Sequence, residues 1–126
     1  MEEITVICLK KIHRRAIDAG SMDEASLRDA VRDEGALFFI AEGANRIVDP
    51  LERAAFLLHR IAVRHPFYEG NKRTALLAAE YILARSGYRI NESQQDKNKH
   101  VREIAAECLE EDGIIPWLKT VVATIR

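Results

Sequence analysis

Apolar residues recur at helical spacing in the first part of the chain, and stop and start signals divide them into two predicted helices. The first runs from Thr5 to about Ala19, with Gly20 as its stop. The second begins at Ser21, which has Glu24 three residues later as a capping box, and ends near Gly35. Their apolar stripes consist of Leu9, Ile12 and Ala16, and of Leu27, Ala30 and Val31.

The helical rhythm breaks between Ala36 and Val48. Two short apolar runs, Leu37 to Ile40 and Arg46 to Val48, flank the glycine-bearing pair Glu42-Gly43. Two apolar runs around such a turn are typical of a small β-hairpin or an extended flap. The sequence therefore predicts a flap at this point.

A well-marked helix follows the flap. Asp49 is placed to cap it, a proline occupies the next position, and Glu52 lies three residues after the cap. Apolar residues then recur on one stripe from Leu51 to about Arg64. The helix should end at His65, because a residue that precedes proline is biased out of the helical region.

The next predicted helix is the most apolar segment of the chain. Asn71 is placed to cap it, it continues through about Ser86, and Gly87 lies at its C-terminal end. Its residues leave almost no polar face, and a helix that is apolar all round belongs in the middle of a bundle.

The last part of the chain predicts one loop and two further helices. The polar stretch Arg89 to Lys99 reads as a surface loop, and an amphipathic helix from about Val101 ends at Gly113. Pro116 then opens the last helix. Its predicted buried side consists of Trp117, Leu118, Val121, Val122 and Ile125. The whole pattern indicates an all-α bundle.

Composition narrows the class of protein without identifying it. The 126 residues suit a single domain, residues 1–126, and the apolar share of 48% is that of a folded protein. A formal net charge of −1 gives no general attraction for nucleic acid. Cys8 and Cys108 show no ligand spacing, which favours reduced, buried thiols. Without a signal segment or a long apolar run, we expect a cytoplasmic protein that does not enter a membrane.

One stretch differs in chemistry from the rest, His65-Pro66-Phe67-Tyr68-Glu69-Gly70-Asn71-Lys72-Arg73. It places an imidazole, a carboxylate, a glycine, an amide and two cations between the two best-marked helices. The first amides of a helix lack partners, and the aligned peptide dipoles place about half a positive charge there. Two cations in that turn make physical sense when an anion occupies it. The stretch therefore predicts a phosphate cradle.

The remaining groups of this stretch suit chemistry on a phosphate. Gly70 lets a bulky anion approach the amides closely. Glu69 would repel a bare phosphate, and Mg²⁺ resolves that conflict by binding carboxylate and phosphate oxygens together. His65 suits the removal of a proton from an attacking hydroxyl, because histidine changes charge near neutral pH. Phe67 is expected to anchor the loop in the core.

Each of these residues also has an ordinary explanation when it is taken alone. His13, His59 and His100 have no comparable neighbours, and His59 lies near an apolar helix face, which favours packing. A metal hydrolase using His59, His65 and Glu69 matches no familiar ligand spacing. A helical module that binds a nucleotide or a partner without chemistry stays open.

The string HPFYEGNKR resembles the signature of the Fic/Doc superfamily, H-x-F-x-[D/E]-[G/A]-N-x-R, and matches it at every defined position. The short length, the flap and the closing Gly-x-x-Pro-Trp-Leu region look like Doc, the "death on curing" toxin branch. The resemblance implies a compact helical bundle of about six helices around a buried central helix, with a flap before the motif. It implies ATP or another nucleoside triphosphate as co-substrate, together with Mg²⁺.

The resemblance also implies roles for the motif residues of this chain. His65 would be the general base, Glu69 would bind the metal through the phosphates, and Arg73 would neutralise phosphate charge. Phe67 would be structural. The anion hole would be formed by Gly70, Asn71 and Lys72. The flap would hold a target peptide by strand-like pairing, with Phe39, Ile40 and Ile47 as its docking residues.

Two departures from the AMP-transferring Fic branch favour transfer of the terminal phosphate, and AMP transfer stays as the alternative. That branch has a second glycine at the position of Lys72 and a second arginine at that of Leu76. The inhibitory motif [S/T]-x-x-x-E-[G/N] is matched by Glu42 and Gly43, but Phe38 replaces its first residue. We therefore expect control by a separate antitoxin of the Phd type. The resemblance also implies a protein substrate, with elongation factor Tu as the family's best-known target.

Overall fold

The computed structural model describes residues 3–18, 30–107 and 109–125. In this part of the chain six helices and one small two-stranded sheet form an all-α fold. The helices are α1 (Val6–Asp18), α2 (Glu34–Asn45), α3 (Pro50–Arg64), α4 (Asn71–Arg85), α5 (Gln94–Glu107) and α6 (Glu111–Val121). Within these ranges, no helix is both long and apolar enough to cross a bilayer.

The central position of α4 agrees with its sequence. It packs along α3 and also contacts α1, α5 and the strand β1 (Tyr88–Ile90). Ala75, Ala78, Ala79 and Leu83 of this helix are completely buried. Gly87, at φ 85°, follows its C-terminal turn as predicted. Because α3 and α4 pack side by side, the loop that joins them lies at one end of the core.

The predicted flap is wrong, because residues 34–45 form the helix α2. Asp33 caps it by accepting a hydrogen bond from the N–H of Ala36 at 2.9 Å. The buried residues of this helix recur at helical spacing, and they are Leu37, Ile40, Ala41 and Ala44. A one-sided helix therefore accounts for the apolar run that suggested a strand.

The turn predicted at Gly43 is wrong, because this glycine allows close packing between two helices. A Cβ added there would lie 2.4 Å from Cζ of Phe56, so the glycine lets the Phe56 ring of α3 approach the backbone of α2. Phe39 and Ile40 lie inside α2 and so do not pair as a strand, while target docking through Phe39, Ile40 and Ile47 stays a prediction. Ile40 is buried in the core, Ile47 is half-buried after the helix, and Phe39 is 72% exposed.

Other boundaries also differ from the prediction. Most of the predicted helix from Ser21 falls within residues 19–29, which lie outside the described residues. Its predicted end at Gly35 is wrong, because Gly35 belongs to the first turn of α2. α5 begins at Gln94 inside the predicted loop, since Ser93 Oγ accepts a hydrogen bond from the N–H of Asp96 at 3.1 Å and so caps the helix.

The end of the chain also departs from the prediction. α6 begins at Glu111, so Gly113 and Pro116 both lie inside it, and its acidic first turn suits the helix dipole. Ile114 and Leu118 are its buried residues. The segment after α6 is a strand, β2 (Val122–Thr124), which pairs antiparallel with β1 (Tyr88–Ile90). Ile125 is 45% exposed and Cys8 is half-buried, so neither is the core residue expected.

Candidate active site

His65 ends α3 in an unusual backbone conformation. Its φ of 52° and ψ of 59° lie in the left-handed region, which residues other than glycine rarely adopt. Its N–H still donates to the carbonyl of Ile61 at 3.3 Å, and its side chain is exposed. The predicted helix end is correct, and the turn projects the imidazole away from the packed stripe of α3.

Asn71 holds the loop from within. Its Nδ2 donates to the carbonyl of Phe67 at 2.8 Å, and its Oδ1 accepts from the N–H of Phe67 at 3.0 Å. The prediction that Asn71 caps the helix is wrong: it is the first helical residue, and Gly70 is the cap position. The Asn71 side chain faces back into the loop, where it satisfies two buried backbone groups.

His13 supports the loop from the side of α1. Its ring stacks on that of Phe67, with centroids 3.8 Å apart and an angle of 3° between the planes. Its Nε2 lies 3.0 Å from the main-chain oxygen of Glu69 and donates to it, since a carbonyl can only accept. Both rings are 1% exposed. Phe67 is thus the loop anchor, and His13 is a supporting residue that sequence analysis missed.

The segment before α2 supports the loop from its other side. Val31 forms an antiparallel bridge with Phe67, and the N–H groups of Arg32 and Asp33 donate to the carbonyl of Pro66 at 2.8 and 3.0 Å. The Arg32 side chain also reaches the loop. No sequence signal marked these residues, because their partners lie more than thirty positions away along the chain.

Gly70 and the start of α4 provide open amides. Gly70 has a φ of 78°, and no side chain among the described residues caps α4. The N–H of Thr74 bonds to the carbonyl of Gly70 at 2.8 Å, and the amides before Thr74 have no carbonyl acceptor inside α4. A Cβ at Gly70 would lie 3.0 Å from Cδ1 of Ile17. The helix N-terminus therefore has the uncapped form that an anion site requires.

Lys72 and Arg73 lie together at this end of α4, and both side chains are exposed. Nη1 of Arg73 donates to the carbonyl of Ala16 at 2.8 Å, which fixes its guanidinium beside α1. Both residues line a surface cavity of about 200 Å³ toward α5, whose other lining residues are Asn98, Val101 and Arg102. Three cations, Lys72, Arg73 and Arg102, thus line one small cavity between the start of α4 and α5.

Two other cavities flank the motif loop. Arg64, the residue before His65, lines one of about 300 Å³ with Phe39, Phe56 and Arg60. Phe67 lines another of about 330 Å³ with His13 and Val31, on a wall of α1 that carries Lys10, Lys11 and Arg14. The loop therefore separates a groove along α2 from a basic groove along α1.

Glu69 is exposed in the loop, one residue before Gly70. His59 lies elsewhere, buried in α3, where its Nδ1 accepts from Arg60 and lies 3.7 Å from the Glu111 carboxylate. Burial, and after it the Arg60 charge, lowers the pKa of His59. Across the described ranges, no three His, Cys, Asp or Glu side chains gather closely enough to hold a metal. His59, His65 and Glu69 therefore do not form a zinc centre.

Comparison with known proteins gives the class of this fold and site. The sequence matches the Fic/DOC family over residues 3–83, more than half of the chain. The chain therefore belongs to the Fic/DOC family.

Particular relatives include two nematode proteins, both named protein adenylyltransferase fic-1. The one from Caenorhabditis elegans and the one from Caenorhabditis briggsae are each 46% identical over 41 residues. That stretch is 32% of this chain and 8% of each relative, so this chain corresponds to a small part of their length.

Proposed function

We propose that this chain transfers the terminal phosphoryl group of a nucleoside triphosphate to a hydroxyl side chain of another protein. The observation that carries the proposal is the order of groups along one braced loop. The exposed His65 ends α3, and Lys72 and Arg73 occupy the uncapped first turn of α4 after Gly70. A base and an anion cradle therefore lie at the two ends of the same short loop.

His65 is the proposed general base. Its imidazole would accept the proton of the target hydroxyl while the hydroxyl oxygen forms a bond to the γ-phosphorus. The bond from that phosphorus to the bridging oxygen breaks, and the nucleoside diphosphate leaves with its electron pair. The proton then passes from His65 to solvent, which restores the base. The products are a phosphoprotein and the diphosphate.

The first turn of α4 is the proposed cradle for the triphosphate. Its uncapped amides and its dipole favour negative charge, and Lys72 and Arg73 add two full charges. Arg73 is already fixed by its bond to the Ala16 carbonyl, so less of its side-chain entropy is lost when a phosphate binds. Groups placed in advance around developing charge are an effective form of transition-state stabilisation.

Glu69 would hold the Mg²⁺ of a bound nucleotide. Its backbone oxygen is bonded to His13 and its carboxylate is exposed beside the start of α4, so the side chain is the group left to reach a cation. One carboxylate combined with phosphate oxygens is a donor set that Mg²⁺ accepts. The ion, when bound, would neutralise part of the triphosphate charge.

Lys72 is the feature that favours phosphate transfer over AMP transfer. It replaces the small glycine of the AMP-transferring branch with a long cation, and Leu76 replaces the second arginine of that branch. A long side chain in the cradle restricts how the three phosphates can lie. This proposal places the chain in the Doc branch. AMP transfer is the second candidate, and the names of the two nematode relatives favour it.

Target proteins are proposed to dock on the outer face of α2. Phe38 and Phe39 are 51% and 72% exposed, and Phe39 lines the groove that leads to Arg64 beside His65. Elongation factor Tu is the first target to test. The cytoplasm is the proposed place of action, and a separate antitoxin of the Phd type is the proposed inhibitor. Glu42 lies in the half of α2 that packs against Phe56. It is about two helical turns from Asp33, the end of α2 that contacts the motif loop. This distance from the loop supports inhibition by a separate protein.

The test is label transfer from ATP to protein. The purified chain is incubated with Mg²⁺ and a cell lysate or elongation factor Tu, with ATP labelled at either the γ- or the α-phosphate. Label from the γ-position should appear on a protein, and His65→Ala and Lys72→Ala should abolish or strongly reduce it. Lys99→Ala, an exposed lysine on α5, is the matched control and should retain the full rate.

Two other outcomes would replace this proposal. Protein labelled only from the α-position would show AMP transfer. If ATP binds without labelling any protein, and His65→Ala changes no cellular effect of the chain, the chain is a binding module without chemistry.

A further inference from the structure

The Arg32 side chain is bound to the backbone at the end of α3. Its Nε donates to the carbonyl of His65 at 2.6 Å, and its Nη2 donates to the carbonyl of Arg64 at 2.7 Å. The N–H groups of Arg32 and Asp33 meanwhile hold the carbonyl of Pro66. Three consecutive carbonyls, at residues 64–66, are thus held from one short segment.

These bonds satisfy groups that the helix end leaves open. The last carbonyls of a helix have no partner within it, and a basic side chain near a C-terminus can take them while it complements the helix dipole. The fork of a guanidinium can serve two such carbonyls at once, which an ammonium group cannot do with fixed geometry. Arg32 therefore caps α3 from outside the helix.

His65, whose carbonyl accepts from Arg32, is also the residue in the left-handed conformation. A non-glycine residue with φ 52° persists only when its surroundings hold it there. The backbone angles of His65 set the direction of its Cα–Cβ bond, and therefore where its imidazole can reach. Among the described residues, the Arg32 fork is the side chain that binds the carbonyl of His65 itself.

We propose that Arg32 is a positioning residue, which holds His65 in its left-handed turn so that the imidazole faces the acceptor hydroxyl. The inference rests on the proposed function for its kinetic consequence, and its structural part stands on the hydrogen bonds alone. Arg32 acts through His65 and need not touch the nucleotide. The two bonds span 33 and 32 residues of sequence, so they couple the segment before α2 to the site.

The structural part is tested by NMR of the histidine ring signals, with those of His65 identified by their loss in His65→Ala. In Arg32→Ala the His65 signals should shift or broaden while those of buried His13 stay in place. Arg32→Lys, which keeps one donor, should give an intermediate shift. Arg89→Ala is the control, since Arg89 is exposed in β1 and its Nη1 donates to Oδ1 of the nearby Asn91.

The kinetic part is tested by the initial rate of label transfer into protein at several ATP concentrations. In Arg32→Ala the maximal rate should fall on the order of tenfold, because a misplaced base loses reach to the proton. The KM for ATP should stay within about twofold, because the cradle is untouched. Arg32→Lys should recover part of the rate, and Arg89→Ala should match the unaltered chain.

Three results would overturn the inference: unchanged His65 signals in Arg32→Ala, an unchanged maximal rate, or a higher KM for ATP with the rate retained, which would make Arg32 a nucleotide-binding residue. If Arg32→Ala proves unfolded, Arg32→Lys carries the same test. If the unaltered chain labels no protein at all, the proposed function fails while the NMR comparison still decides the role of Arg32.

Discussion

The side-chain amide of Asn71 is bonded to both backbone polar groups of Phe67, at 2.8 and 3.0 Å. It thereby satisfies both groups, and it ties the first residue of α4 to the middle of the motif loop. The Phe67 ring, in turn, is fixed between the core and His13. The loop is therefore held in part by Asn71, the residue that begins the central helix.

Replacing Asn71 should destabilise the fold. Asn71→Ala leaves the buried N–H and carbonyl of Phe67 without partners, and we expect a loss of about 2–4 kcal/mol of unfolding free energy. Asn71→Asp keeps the acceptor and loses the donor, so it should not restore stability. Urea unfolding measures both. Asn98→Ala, an exposed amide bonded to Gln94, is the control and should stay within about 0.5 kcal/mol of the unaltered chain.

His13 should contribute to the stability of the fold. His13→Ala removes a ring that is 1% exposed and stacked on Phe67, together with the bond to the Glu69 carbonyl. We expect a cost of about 2–4 kcal/mol from the cavity and the lost hydrogen bond. Thermal unfolding measures it, with the exposed Lys11→Ala on the same helix as control. A melting temperature equal to that of the control would show that the stack contributes nothing.

Gly70 should resist substitution more than a glycine within a helix. Gly70→Ala must place a Cβ at a φ of 78° and 3.0 Å from Ile17, and the backbone conformation alone costs about 1–2 kcal/mol. Gly113→Ala is the matched control, because Gly113 is helical and its Cβ would meet Leu109 at an ordinary 3.6 Å. The control should be neutral or slightly stabilising by chemical denaturation. Equal stability of the two variants would contradict this account.

Sequence predicted the parts of this fold that depend on neighbouring residues. The Asp49 cap, the end of α3 before Pro66 and the glycine after α4 are all local, and all are present. The motif could be recognised because its unusual residue types are adjacent in the chain.

The errors arose where a residue serves a distant partner. Gly43 accommodates Phe56 of another helix, and Asn71 faces backward into the loop. His13 and Arg32 reach the site across 56 and 33 residues of sequence, which no local pattern marks. The residues that support the site could therefore be identified only from the structure.

The buried His59 should make stability depend on pH. Its pKa is lowered below the ordinary value of 6.5, first by burial and then by Arg60. As the pH falls through 6.5, His59 binds a proton in the unfolded chain but stays neutral in the folded chain. The stability contribution of neutral His59 is therefore complete above pH 6.5. It decreases below that pH until the lower pKa of the folded state is reached. Urea midpoints across this range should show the fall. His59→Gln should reduce the fall, and a fall of the same size in that variant would contradict the assignment to His59.

The most direct test of the central claim is the intact mass of a target protein after incubation with this chain, ATP and Mg²⁺. The account predicts a gain of one phosphoryl group, located on a hydroxyl side chain, and no gain with His65→Ala. A gain of one AMP, or a phosphoryl gain that persists in His65→Ala, would contradict it.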